Sequence, residues 1–151
     1  MESTTLAYIA GFLDADGSIF FQIIPKKDYK RKFQIRTNIA FYQRQDNVQI
    51  LEWLKDQLGN IGYIRIRKTD VSDYTVVESK EVYRILKLLQ PYVKLKKEQV
   101  SLGLEILEKL NKISGNKDFL EICKLVDIFG KLNCSKKRSI TSELVSKSIP
   151  L

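Results

Sequence analysis

The chain contains no histidine, and that absence removes more chemistry than any other feature of its composition. It rules out a Ser-His-Asp triad, an imidazole general base and a histidine-ligated metal nuclease. Any catalysis must run through carboxylates, lysine, glutamine or metal-activated water. Cysteine is scarce: Cys123 and Cys134 are the only 2, no C-x-x-C pair exists, and no familiar zinc site can form. The expectation is two buried thiols in a reducing compartment. No apolar run approaches the roughly 20 residues of a membrane helix, so no membrane partner is expected. The opening, MESTTLAYIAGF, has an acid where a secretory signal carries basic residues, and no such signal is expected. There is no internal repeat, low-complexity tract or domain-length linker.

What is present fits one globular domain spanning 1–151, with 44% hydrophobic residues. The net charge of +8 points to an anionic partner, most often nucleic acid. The plainer alternative is a solvated basic surface.

Hydrophobic spacing predicts the elements. Residues 6–13 read as a helix capped by Thr4 or Thr5, with Gly17 as its stop. "SIFFQII" (18–24) alternates as a strand, 25–32 as a hairpin loop, and "FQIRTNIAFYQ" as a second strand with Phe33, Ile35, Thr37, Ile39 and Phe41 on one face. A helix follows over 46–58, with Asp46 as N-cap and Gly59 as C-cap. "GYIRIRK" places Ile64 and Ile66 inward, and "SDYTVVE" is a fourth strand. Val82, Ile85, Leu86 and Leu89 form a helical stripe closed by Pro91. Further helices are predicted over 97–113, from a cap at Asn116, and near the end of the chain. The order α-β-β-α-β-β-α plus C-terminal helices defines an α+β fold with one four-stranded antiparallel sheet.

Two constellations could carry chemistry. Gln22, Gln34, Arg36, Asn38, Arg65 and Arg67 alternate outward on the strands, and the loop adds Lys26, Lys27, Tyr29, Lys30, Arg31 and Lys32. Arg can bridge guanine, and Gln or Asn adenine, in the major groove of double-stranded DNA, while loop cations suit phosphates. The alternative is an ordinary sheet with a wet face, but wet faces mix charge signs and this one is nearly free of acids. The second constellation is "YIAGFLDADGSI" (8–19), where a helix-like run ends in Asp14 and Asp16. Acids at a helix C-terminus oppose its dipole, so either a turn explains the pattern or a cation sits there. Ala7, Ala10 and Gly11 make a small-residue face. That face packs either on the chain's own core or on the same helix of a second chain. In the second case the acidic ends converge, and such an oxygen-rich site suits Mg²⁺ and phosphodiester hydrolysis.

"IAGFLDADG" (9–17) resembles the motif of the LAGLIDADG homing endonucleases, in a single copy as in the homodimeric, intron-encoded members of algal organelles. "SDYTVV", "LQPYVKLKKEQ" and "LNCSKKRSITSE" are similar to further segments of that group. The resemblance implies a homodimer whose motif helices meet through Ala7, Ala10, Gly11 and Asp14, with Asp14 shaping the helix end. Asp16 and the Ala15 carbonyl would bind Mg²⁺, with Mn²⁺ or Ca²⁺ as substitutes. Gln43 would order water, and Lys96 would lie by the scissile phosphate, completing a catalytic set of Asp16, Gln43 and Lys96.

The DNA-facing set implied is Gln22, Ile24, Lys26, Asp28, Tyr29, Lys30, Arg31, Lys32, Gln34, Arg36, Asn38, Arg44, Arg65, Arg67, Lys68 and Asp73. Arg44 stands in for the basic residue that relatives carry at Asn47, and Lys136 and Arg138 match a phosphate-contacting loop. The activity implied is cutting of a pseudo-palindromic target across the minor groove, leaving short 3′ overhangs. An eight-residue strand spans about 26 Å, so two half-sites and a gap give roughly 20 base pairs. Intron RNA binding, as in a maturase, and a non-cleaving DNA-binding regulator are the alternatives. The Lys- and Ile-rich make-up fits an organelle, chloroplast or mitochondrion.

Overall fold

A computed structural model describes residues 1–133 and 137–151. Helix α1 (Ser3–Asp16) leads directly into β1 (Gly17–Pro25), which returns as β2 (Phe33–Arg44). A 3₁₀ turn, Gln45–Asn47, opens α2 (Val48–Gln57), and the hairpin β3 (Tyr63–Ile66) and β4 (Val71–Val76) follows. Four helices complete the chain: α3 (Ser79–Leu89), α4 (Lys97–Asn111), α5 (Asn116–Leu132) and α6 (Ser142–Ser148). The sheet order is β1-β2-β4-β3, and β4 pairs antiparallel with both β2 and β3. The expected α+β order is therefore the observed one.

The chain gathers into two compact units, Met1–Phe20 with Thr37–Val100, and Phe21–Arg36 with Ser101–Leu151. In the first, α1 buries Ile9, Ala10 and Leu13 completely, and α3 packs against it with the expected stripe of Val82, Ile85, Leu86 and Leu89. Phe41 stacks on Tyr74 with ring centroids 5.8 Å apart. Burial of each such large apolar side chain contributes about 1.5–3 kcal/mol. In the second unit, Phe21 meets Phe129 at 4.8 Å, and the α5 stripe of Phe119, Ile122, Cys123 and Val126 is buried as expected. Burial, aided by Asp127, pushes the Cys123 thiol up to about 12, so it is a core residue. Cys134 lies outside the described residues.

Several boundaries differ from the sequence expectation. Helix α1 starts before Thr4 and Thr5, after an N-cap at Glu2 that makes no side-chain bond, and it runs through both aspartates. Gly17 follows in an extended conformation at φ −108°. Its requirement is space: a Cβ there would meet Leu13 Cδ1 at 2.7 Å and the Leu13 carbonyl at 2.9 Å. By contrast, Gly59 ends α2 with φ +99° and does need the left-handed region. Asp46 bonds Arg44 at 3.1 Å instead of capping α2.

Ile66 is 63% exposed because β3 is a short edge strand. Ala40, which strand alternation puts on the face of Gln34, Arg36 and Asn38, is buried. Asn116 lies inside α5 and donates to the Pro150 carbonyl at 2.6 Å, while Asp118 gathers the amide and hydroxyl of Ser114 at the same helix start. Helix α4 stops at Asn111, short of the expected 113.

Candidate active site and nucleic-acid interface

The last turn of α1 contains no basic residue of its own and carries Asp14 and Asp16. The conflict with the helix dipole is answered from a distant part of the chain. The Asp14 carboxylate accepts from the amides of Lys94 at 2.7 Å, Leu95 at 3.1 Å and Lys96 at 3.1 Å. The Lys96 ammonium donates back to the Asp14 carbonyl at 2.9 Å, placing a cation at the helix C-terminus, where the dipole favours one. Burial works to raise the Asp14 carboxyl, but the three amides and the Lys96 charge outweigh it and hold it below its usual 3.8.

Ala15 and Asp16 remain exposed at the tip of the helix. Their carbonyl and carboxylate are hard oxygen donors, which suit a cation such as Mg²⁺. Among the described residues, no group of three or more His, Cys, Asp or Glu side chains gathers to hold a metal. The donor type therefore fits, but one chain supplies only part of a coordination shell. Gln43 sits half-buried near the end of β2; its Oε1 accepts from the Arg44 amide, and Ser72 Oγ donates to its carbonyl.

The outward face of the sheet contains a buried acid. Strand register sets Tyr42 opposite Asp73, and Asp73 opposite Arg65. Asp73 is 0% exposed; it accepts from Thr75 Oγ1 at 2.7 Å, Arg67 Nε at 2.8 Å and Arg65 Nε at 3.3 Å. Burial pushes its carboxyl up, but the Thr75 and Arg67 hydrogen bonds and the two arginine charges pull it net below 3.8. Asp73 was expected to face DNA; it instead lies beneath Arg65 and Arg67. Arg65 and Arg67 remain 55% and 41% exposed. Both pair with Asp73 through Nε. The Arg67 guanidinium also lies 5.7 Å from the Tyr42 ring.

Of the other expected contacts, Gln22, Ile24, Gln34 and Asn38 are half-buried and Arg36 exposed, each alternating with buried neighbours. Lys27, Asp28, Tyr29, Lys30, Lys32 and Lys68 are exposed, and Lys26 is half-buried with its ammonium 5.0 Å from the Tyr29 ring. Arg44 is exposed but shared between Asp46 at 3.1 Å and Asp70 at 3.7 Å.

Two arginines depart from expectation. Arg31 is half-buried, 5.7 Å from the Phe119 ring, and shares the parity of buried Phe33 and Ile35. Arg138 donates to the Phe21 carbonyl at 2.7 Å, with its guanidinium over Gly130, and burial holds its pKa below the usual value. It braces an edge strand through that bond. Lys136 lies outside the described residues.

Residues 9–104 match the model of the family described as LAGLIDADG endonuclease. The DNA endonuclease I-CreI of Chlamydomonas reinhardtii is 43% identical over 93% of this chain and 85% of its own length. The chain belongs to the LAGLIDADG endonuclease family.

The DNA endonuclease I-CvuI of Chlorella vulgaris is 35% identical over 95% of this chain and 88% of its own. Its crystal structure in complex with its target, in the presence of Ca, superposes with a TM-score of 0.90 at 34% identity, covering 96% of this chain and 92% of that one. An archaeal intron-encoded member complexed with DNA, I-Vdi141I, shares the fold at a TM-score of 0.85 and 23% identity.

Seen as a LAGLIDADG chain, the small-residue face of α1 divides. Ala7 and Gly11 are exposed, and nothing lies within 4 Å of a Cβ built on Gly11. Ala10 is fully buried and packs inward, so it is not part of a dimer surface. Sequence reasoning missed Thr75 and Gln45. The strand alternation that sets Tyr42 and Asp73 on the outward face also marks Thr75. Gln45 donates to the Arg67 carbonyl at 2.7 Å and fixes the β3-β4 tip, a contact with no local signal.

Proposed function

We propose that this chain is a homing endonuclease acting as a homodimer. It cuts a long pseudo-palindromic double-stranded DNA of roughly 20 base pairs, the span of two strand-length half-sites and a gap. The products carry short 3′ overhangs. The observation that carries the reading is the exposed tip Ala15-Asp16 with the Lys96 ammonium tethered one residue away at the Asp14 carbonyl. The names of the relatives, both DNA endonucleases, support the substrate class.

Pairing of α1 with its copy through Ala7 and Gly11 would cover exposed apolar surface that includes Tyr8, 52% exposed, and Leu95, 74% exposed. It would also bring two Asp16 carboxylates together and, with DNA phosphates, complete the partial oxygen shell. Asp16 and the Ala15 carbonyl hold Mg²⁺ in this reading. When bound there, the cation would supply an activated water and offset charge on the leaving oxygen. Lys96 offsets charge on the scissile phosphate, Gln43 orients water, and the Arg65–Arg67 pair reads bases in the major groove. An organelle is the proposed compartment.

The test is digestion of a randomised duplex library with and without Mg²⁺, with Asp16→Asn as control. Metal-dependent cleavage at one preferred sequence supports the reading. RNA binding without DNA cleavage would assign the chain to intron folding instead.

A further inference from the structure

We propose that Arg31 is a positioning residue for target recognition: stacked on Phe119, it clamps the basic loop 26–32 onto α5. The proposal rests on the reading that this loop meets DNA. Backbone hydrogen bonds close the loop on itself. Lys26 N–H donates to the Lys32 carbonyl at 2.8 Å, Tyr29 N–H to Lys26 at 3.1 Å, and Lys32 N–H to Tyr29 at 2.9 Å. Lys32 occupies the left-handed region at φ 65°.

The loop residues from Asp28 to Arg31 line an open groove of about 450 Å³, with Phe33, Leu110, Ile113 and Phe119 among its apolar walls. On this side the loop borders open space. The Arg31 guanidinium lies over the Phe119 ring, 5.7 Å from its centre, and among the described residues its Nε is out of water without a hydrogen-bond partner. A planar cation on an aromatic face is the interaction that this geometry offers. Lys27, Tyr29, Lys30 and Lys32 remain exposed around it. A loop ordered before binding loses less freedom on binding, which preserves affinity without any contact by Arg31 itself.

The experiment compares Arg31→Lys and Phe119→Leu, both of which keep the net charge, with Arg31→Met. Amide exchange at Tyr29 and Lys32 is measured on the free protein. Binding to the library-selected duplex and to a mixed-sequence duplex is measured over a salt series. Clamping predicts faster exchange in Arg31→Lys and Phe119→Leu, and about five- to tenfold weaker binding of the selected duplex. The salt slope and mixed-sequence binding of those two variants should not change.

A direct phosphate contact predicts the reverse: Phe119→Leu binds normally, Arg31→Lys is largely tolerated, and Arg31→Met lowers the salt slope by about 0.9. That outcome overturns the proposal, as does unchanged exchange in both charge-preserving variants. If the library yields no preferred duplex, the recognition role falls with the proposed function, and the exchange data still decide whether Arg31 clamps the loop.

Discussion

The Lys96 ammonium donates to the Asp14 carbonyl at 2.9 Å while the Asp14 carboxylate accepts from the Lys96 amide at 3.1 Å, so each residue fixes the other at two points. The first acid of the motif thus holds the lysine at the helix end that also carries the second acid. Asp14→Ala removes acceptor bonds to three amides, and hydrogen bonds to a charged group are worth about 1.5–3 kcal/mol each, with partial relief from water at this half-buried position. The expected outcome is a clear drop in melting temperature and slower single-turnover cleavage. Lys96→Met should slow cleavage comparably while costing less stability. Equal melting temperatures for Asp14→Ala and the parent would remove the clasp as a structural element.

Asp16 has the opposite profile. It is exposed at the C-terminus of α1, in a last turn without a basic residue, so its charge works against the helix. Asp16→Asn should raise stability by about 0.3–1 kcal/mol, the usual scale for a misplaced terminal charge. The same change should abolish Mg²⁺-dependent cleavage and leave DNA binding intact. A stabilised, binding-competent and inactive variant is the pattern that thermal melting, gel shift and digestion should return together.

The contrast between these two aspartates shows how far the sequence could be read. Local patterns carried the strands, the helical stripes and the motif, because alternation and 3.6-residue spacing are properties of neighbouring residues. Asp14 could be placed at a helix end, but its partners lie about eighty positions away, at Lys94 to Lys96. The family resemblance put Asp73 among the DNA-facing residues, and register does set it on the same sheet face as Arg65. Its burial comes from Arg65, Arg67 and Thr75 closing over it, which depends on pairing register. Arg31 and Arg138 looked like surface cations because charge alone does not reveal a nearby Phe119 ring or Phe21 carbonyl.

Gly17 tests the junction of α1 and β1. A Cβ at this position would stand 2.7 Å from Leu13 Cδ1 and 2.9 Å from both Leu13 Cα and its carbonyl oxygen. Leu13 is fully buried, so its backbone has little freedom to yield. Gly17→Ala should destabilise by about 1–3 kcal/mol, the range for overpacking a filled core. It should also slow cleavage beyond what unfolding explains, because the strain falls on the residue next to Asp16. Chemical denaturation paired with single-turnover rates at a fully folded temperature separates the two effects.

Asp73 yields a prediction in pH. Its folded-state pKa lies below the ordinary 3.8, because Thr75, Arg67 and Arg65 together outweigh the burial that opposes ionisation. The unfolded chain therefore binds a proton more readily than the folded one. The carboxylate's contribution is complete above the unfolded value and is lost as pH falls through the folded one. Asp73→Asn keeps the shape but removes the charge, and should cost about 1–3 kcal/mol near neutral pH, the range for spoiling a buried hydrogen-bonding group. The gap between parent and variant should stay flat from pH 7 down to about 5 and narrow only below about 4. Because Arg65 and Arg67 lose their shared anchor, discrimination among target variants should also relax, while binding to mixed-sequence DNA persists. A stability gap that closes between pH 6 and 7 would assign the effect to another group. Unchanged base preference would mean that the two arginines hold their places without the carboxylate beneath them.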